Sequence, residues 1–312
     1  MGFIGSNIVP KLLNKGFEVV GFDNLVNPSI DPTDRMKSEA KGNWGKFKFY
    51  NVDIRHLDQM MTIAVNEKPD MVIHLAALGS VPRSFEQPSL VIDVNERGFS
   101  NMLSLAAFLN VKRIVFASSS SVYGNSDKTY RVEGEEGFPL SPYAMTKMQN
   151  ETLAKIWCNG LSLNYIGLRF FNVYGPGQVV NSPYASVIPR FCALNKLMIN
   201  GDGSITRDFT YVDDVCNAIM LSLQTKHQNF VCNVGTGVGT TINELAEMIS
   251  KGEKEIEYYK PRLGDVIGSI AHIERAKSYI GFRAFTNLKT GIEKTQEYYN
   301  SLQRPHEDQL RA

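Results

Sequence analysis

Cysteine is scarce, with four in 312 residues: Cys158, Cys192, Cys216 and Cys232. They lie far apart in apolar stretches and no pair has metal-ligand spacing. This argues against a disulfide scaffold and predicts buried free thiols in a reducing, cytoplasmic setting. Histidine is as sparse: His56, His74, His227, His272 and His306 include no H-x-x-x-H pair, so no metal is expected. Charge of one sign is also missing, since 33 Lys and Arg against 32 Asp and Glu leave a net +1. Without a basic surplus there is no electrostatic case for nucleic acid. No apolar run approaches the ~20 residues that span a bilayer, so no membrane partner is expected. The opening Met1-Gly2-Phe3-Ile4-Gly5 carries no charged-then-apolar leader.

What is present supports a sizeable core: 43% of residues are hydrophobic and 21% charged. Length fits one large domain or two modest ones. Strand-like runs at 17–22, 47–50, 71–75, 113–116 and 163–168 alternate with helix-like stretches near 4–15, 56–67, 87–109 and 142–158. That alternation predicts an α/β fold with a doubly wound parallel sheet. Pro10 should cost the first helix an interior hydrogen bond or kink it. After about residue 170 the rhythm changes. Gly175-Pro176-Gly177 and Asn181-Ser182-Pro183 mark a long loop, and shorter pieces follow: helices near 184–196, 213–224 and 241–250 and a strand near 229–234. The division expected is a Rossmann domain over 1–170 and a smaller substrate lobe over 171–312, partly interleaved with the sheet.

Two signals carry chemistry. Gly2-Phe3-Ile4-Gly5-Ser6 opens a helix, and Asp23 ends the next strand 18 residues after Gly5. Glycines at a helix N-terminus let a pyrophosphate approach the backbone, and an acidic residue about 20 positions on bonds the adenosine ribose. A carboxylate there repels a 2′-phosphate and favours NAD over NADP. Only half of that fingerprint is present, and alone it is also what a glycine-containing loop beside an unrelated Asp would give. The second signal is Tyr143-Ala144-Met145-Thr146-Lys147. A Y-x-x-x-K pair shares a helix face, and the ammonium lowers the phenol's pKa toward a working general base. Alone it is also an ordinary helix face. Upstream, the strand from Arg113 runs into Ser118-Ser119-Ser120-Ser121-Val122-Tyr123-Gly124, and active sites lie at strand carboxyl ends. Together these make a Ser–Tyr–Lys constellation.

Over essentially its whole length the chain resembles the extended short-chain dehydrogenase/reductases of the NAD-dependent nucleotide-sugar epimerase/dehydratase family. The matching stretches are GFIGS (2–6), FDNL (22–25), VDIR (52–55), HLAA (74–77), SSSSVYG (118–124), SPYAMTK (141–147), LRFFNVYGPGQ (168–178), GDGSITRDFTYVDD (201–214) and RLGD (262–265). The resemblance implies NAD held by Gly2, Phe3, Ile4 and Gly5, with Asp23 and Asn24 at the ribose and Asp53 and Ile54 at the adenine. It implies Leu75, Ala76, Ala77, Ser118 and Phe171 along the cofactor. Ser119, Tyr143 and Lys147 would be catalytic, with Tyr143 and Lys147 also touching the cofactor. Ser80, Ser120, Ser121, Asn172, Ala185, Arg207, Arg262, Asp265 and Ser269 would meet a UDP-sugar, the arginines as diphosphate forks. It also implies a homodimer, through an intersubunit bundle of the helices near 87–109 and 142–158.

Within the family, dehydratases carry Asp and Glu where this chain has Ser120 and Ser121, and decarboxylases usually carry Glu at the latter. Their absence favours epimerisation at C4 through a 4-keto sugar. The position four after Asp265 is Tyr in glucose/galactose-restricted relatives and is Ser269 here, which leaves room for an acetamido group. The stretches 78–84 and 184–189 point the same way. The expected substrate is UDP-N-acetylglucosamine/UDP-N-acetylgalactosamine, or their uronic acids, in polysaccharide biosynthesis. The alternatives are a UDP-glucose or UDP-glucuronate 4-epimerase, a nucleotide-sugar dehydratase or decarboxylase, or a truncated non-catalytic remnant. The last arises because the family's first strand has no counterpart before Gly2. Supplying it would take roughly 8–12 more residues, and without it the neighbouring strands should lack hydrogen-bond partners.

Overall fold

The computed structural model describes residues 1–26, 31–161, 163–180, 185–194, 196–260 and 268–308. The first half alternates as the periodicity predicts: α1 (Phe3–Asn14), β1 (Val19–Asp23), α2 (Thr33–Glu39), β2 (Phe47–Asn51), α3 (Leu57–Glu67) and β3 (Met71–His74). Then come α4 (Val81–Glu86), α5 (Pro88–Ile92), a π-helical turn (Asp93–Arg97), α6 (Gly98–Phe108) and β4 (Arg113–Ser119). After β4 follow a 3-10 turn (Ser120–Tyr123), β5 (Tyr130–Arg131), α7 (Pro142–Leu161) and β6 (Tyr165–Phe170). The second half is built of shorter pieces: β7 (Val173–Tyr174), α8 (Val187–Ala193), β8 (Lys196–Asn200), β9 (Thr206–Arg207), β10 (Thr210–Tyr211) and α9 (Val212–Gln224). It ends with β11 (Phe230–Val234), β12 (Thr240–Thr241), α10 (Ile242–Ser250), β13 (Glu255–Tyr259), β14 (Gly268–Ala271), α11 (Glu274–Ile280) and α12 (Leu288–Asp308).

Four parallel strands run in the order β11-β6-β4-β3. β11 comes from beyond residue 170, so the C-terminal half contributes to the main sheet. β1 and β2 form a separate parallel pair. Among the described residues β1 pairs only with β2 and β3 only with β4. Pro10 does not break α1, which runs through it to Asn14. The cost is confined to the one bond that the Ser6 carbonyl cannot receive from an imino nitrogen.

β4 and β6 are buried on both faces because helices cover each side. Side-chain alternation divides their residues between two cores. Val115, Ile166 and Leu168 face α1 and α9, while Ile114, Phe116 and Tyr165 face α3, α6 and α7. On the second face an aromatic row runs from His74 through Phe99 and Phe116 to Tyr165, with centroids 5.2, 5.0 and 6.4 Å apart. Gly167 makes room for it, since a Cβ there would sit 2.8 Å from the Phe116 ring. Among the described residues no helix is long and apolar enough to cross a membrane.

Phe116 is 1% exposed at the centre of this row. Phe116→Ala should lower the unfolding free energy by about 3–5 kcal/mol, read by urea denaturation. A loss below about 1 kcal/mol would show that the row is not the packing centre.

Candidate active site

The carboxyl end of β4 is the best-built polar site. Ser119 leaves the strand and caps the following turn, its Oγ accepting the Ser121 amide at 3.1 Å and the Ser121 hydroxyl at 2.9 Å. The Ser119 hydroxyl stands next to the Tyr143 phenol and favours its ionised form. Gly124 closes the turn at φ 52°, and a Cβ there would fall 1.9 Å from the Phe138 carbonyl. Ser120 and Ser121 stay partly exposed beside it.

Tyr143 and Lys147 lie one turn apart in α7. Lys147 is 2% exposed, and its Nζ donates to the Ala117 carbonyl at 2.8 Å. Burial pulls its ammonium down to about 8, with the Glu151 charge opposing that shift. The sequence predicts that Lys147 lowers the Tyr143 pKa. In the structure the phenol instead sits above its ordinary value: burial pushes it up, and the Ser119 hydrogen bond only partly offsets this. The physical reason is geometric. The ammonium is spent on Ala117 and stands 6.0 Å from the Tyr143 ring centroid.

Around this pair, Leu75, Ala76 and Ala77 follow the end of β3 and are partly exposed. Ser118 is 3% exposed and donates its hydroxyl proton to Glu151. Phe171 is 1% exposed and packs with Val122, Tyr123 and Ala271. Ser80 caps α4, its Oγ accepting the Arg83 amide at 3.2 Å.

A second group lies at the start of α1. Gly2 is the helix N-cap, no side chain caps the first turn, and a Cβ on Gly2 or Gly5 would meet nothing within 4 Å. Phe3 and Ile4 follow, partly buried. Asp23 is brought to the same place, its carboxylate 2.6 Å from the Met1 ammonium and accepting the Leu25 amide at 2.8 Å. Asn24 donates to Asp53 at 2.8 Å, and Arg55 bonds both oxygens of Asp53, at 3.0 and 2.8 Å. Those bonds hold the Asp53 carboxyl well below the usual carboxylate range. Ile54 is buried behind them against Gly98. Open glycine backbone at the N-terminus of a 12-residue helix, beside a carboxylate at a strand end, fits a dinucleotide.

A third group gathers where the C-terminal half folds back. Arg207 on β9 registers with Ser269 on β14, which is 8% exposed. Asp208 fixes that edge by accepting the Thr236, Gly237 and Ala271 amides at 2.8, 2.9 and 3.2 Å. Asn172 is exposed with its carbonyl bonded by the Thr210 amide at 3.2 Å, and Ala185 is buried. Arg262 and Asp265 lie outside the described residues.

Sequence reasoning passed over two groups. Asn95, in the π-helical turn, accepts the Leu78 amide at 2.8 Å and donates to Thr146 Oγ1 at 3.1 Å, bracing the loop after β3 against α7. Glu151 and Arg169 form a buried pair behind Lys147. An acidic residue four after Lys147 was the available signal for Glu151. Nothing local announced Arg169, which arrives from β6. Among the described residues no cluster of three or more His, Cys, Asp or Glu is placed to hold a metal ion.

Residues 1–235 match the model of the NAD dependent epimerase/dehydratase family. A UDP-glucuronate 4-epimerase of Thermodesulfobacterium geofontis is 33% identical over 301 residues, covering 94% of this chain and 92% of its own. The solved UDP-glucose 4-epimerase of Thermotoga maritima, bound to UDP-glucose, superposes with a TM-score of 0.90 at 33% identity, covering 96% of each chain. A UDP-N-acetylglucosamine 4-epimerase of Methanobrevibacter ruminantium, solved with UDP-N-acetylmuramic acid, gives 0.88 at 33% identity, again with 96% of each covered.

His74, 3% exposed near Lys147, has its imidazole pushed down to about 3, by burial first and by the Lys147 charge second. Its folded pKa is below the ordinary ~6.5, so the unfolded chain binds more protons between those values. The stability His74 supports is therefore present above about 6.5 and falls as pH drops, by at most about 1.4 kcal/mol per pH unit. His74→Gln should flatten that acid decline in denaturation curves taken between pH 7 and pH 4. A variant as acid-sensitive as the wild type would assign the decline to other groups.

Proposed function

The chain belongs to the NAD dependent epimerase/dehydratase family, and we propose that it inverts C4 of a UDP-sugar with NAD as bound cofactor. The observation that carries this reading is the Ser119–Tyr143–Lys147 assembly with serines, not carboxylates, at 120 and 121. Elimination or decarboxylation asks for a further proton-transfer group at those positions, whereas epimerisation needs only one group that takes a proton and returns it.

Gly2, Phe3, Ile4 and Gly5 would receive the pyrophosphate, Asp23 and Asn24 the adenosine ribose, and Asp53 and Ile54 the adenine edge. Leu75, Ala76, Ala77 and Phe171 would border the cofactor. NAD, when bound, supplies a reversible hydride acceptor. Tyr143 takes the C4 hydroxyl proton and later returns it, Ser119 favours its phenolate and holds that hydroxyl in line, and Lys147 ties α7 to the end of β4 and so sets where Tyr143 stands. Arg207 would fork the sugar diphosphate. The sugar must turn over between the two transfers, so the diphosphate is the pivot and the sugar pocket must tolerate both faces.

For the sugar, we infer an N-acetylhexosamine or its uronic acid. Ser269 beside Arg207 is small, and a similar enzyme acts on UDP-N-acetylglucosamine. Similar enzymes named for UDP-glucose and UDP-glucuronate support the second reading, a 4-epimerase of those sugars.

The test is incubation of NAD-loaded protein with UDP-N-acetylglucosamine, UDP-glucose and UDP-glucuronate, with NMR of the products. The C4 epimer of the first should form fastest, and loss of water or CO2 from any of them would overturn the reaction class. Ser269→Tyr should suppress the N-acetyl substrate at least about tenfold more than UDP-glucose, by filling the space beside C2. Equal loss on both would overturn the substrate assignment.

A further inference from the structure

Three successive residues of β4 are each tied to a different turn of α7. The Ala117 carbonyl accepts Lys147 Nζ at 2.8 Å, the Ser118 hydroxyl donates to Glu151, and Ser119, next in the strand, stands by Tyr143 and favours its phenolate. Tyr143, Lys147 and Glu151 stand at i, i+4 and i+8, so one stripe of the helix faces the end of one strand.

Glu151 is itself locked from the next strand. Arg169 on β6 donates from Nε to Oε1 at 2.8 Å and from Nη2 to Oε2 at 2.6 Å, the planar two-point fork that fixes a carboxylate in orientation as well as distance. Its remaining Nη1 pairs with Glu136, and its guanidinium lies 4.9 Å over the Tyr123 ring. The pair is almost dry, with side chains 4% and 11% exposed. Buried ion pairs are seldom a net gain for stability over apolar replacements, so a fold alone has little reason to keep one behind a reactive helix.

We propose that Glu151 is a positioning residue for the proton-transfer pair, pinning Ser118 so that Ser119 stays on Tyr143 and setting a negative charge one turn behind Lys147. This rests on the reading of Tyr143 and Lys147 as the reacting pair. Among the described residues the hydrogen bonds of Glu151 run to Ser118 and Arg169, on the side of Lys147 away from Tyr143 along α7.

The experiment uses NAD-loaded full-length protein and the UDP-sugar that the wild type epimerises. Steady-state kcat and KM are measured for Glu151→Gln, Ser118→Ala, Ser118→Thr and Tyr143→Phe, with melting curves for each. Glu151→Gln and Ser118→Ala should lower kcat by roughly tenfold to hundredfold, the scale of a sub-ångström to 1 Å misplacement, with KM little changed. Ser118→Thr keeps the hydroxyl and should recover most of the rate. If Glu151→Gln does not fold, Ser118→Ala carries the test, since it removes the same clasp without stranding a charge. An unchanged kcat, a loss confined to KM, or a loss of folded protein in both variants would overturn the proposal and leave the pair a folding element. Turnover surviving in Tyr143→Phe would overturn the reading of the reacting pair. Turnover lost there but kept in Glu151→Gln and Ser118→Ala would overturn the role of Glu151 alone.

Discussion

Lys147 carries an ammonium group into a nearly dry interior, where an isolated charge would cost several kcal/mol or lose its proton. Two features of the fold hold it there. The Ala117 carbonyl, just past the stretch of β4 that is paired on both sides, accepts a hydrogen bond from it, and Glu151 sets an opposing charge along the same helix. Both depend on β4 being central. Its pairing with β3 as far as Phe116 and with β6 through Ser119 fixes the strand, and the aromatic row beneath fixes how closely α7 can lie on it. The chemistry at Tyr143 is thus set by strand pairing and packing well away from the phenol.

The same logic extends to the C-terminal half. Its strands are two to five residues long, and buried carboxylates that collect backbone amides help to hold the segments around them. Asp208 gathers the Thr236 and Gly237 amides from the loop after β11 and the Ala271 amide from the end of β14, and Asp214 takes those of Phe285 and Thr286 in the loop before α12. The first of these carboxylates follows Arg207 directly. It keeps β9 beside β14 and so keeps Arg207 beside Ser269.

Much of the first half was legible because its signals are local. Short runs of β-branched or aromatic residues placed β2, β3, β4 and β6 within a few residues, and helical spacing placed α3 and α7. Boundaries drifted where neighbours decide: β4 extends through Ser118 and Ser119 because β6 continues to pair with it there. The expected helix at 87–109 breaks into α5, a π turn and α6, since the extra residue aims Asn95 at Leu78 and Thr146, which no periodicity records. The short strands β5, β9, β12 and β14 were invisible, because two-residue pairings exist only through partners up to 140 positions away. In the site, the Tyr143–Lys147 pair and a serine cluster upstream of it were readable from spacing, and only the family resemblance singled out Ser119 within that cluster. The direction of the Tyr143 shift was not, because it depends on where Lys147 spends its proton donors.

The central claim is that one phenol, Tyr143, standing beside Ser119 on a helix that Lys147 ties to β4, serves a reversible oxidation at C4. It is tested most directly with a UDP-sugar substrate deuterated at C4, epimerised in ordinary water and analysed by NMR. A hydride that leaves and returns without meeting solvent keeps the label, so the epimer should carry deuterium at C4 undiminished. Loss of that deuterium to water would mean that C4 is inverted by proton exchange or by addition of water, and would contradict the account.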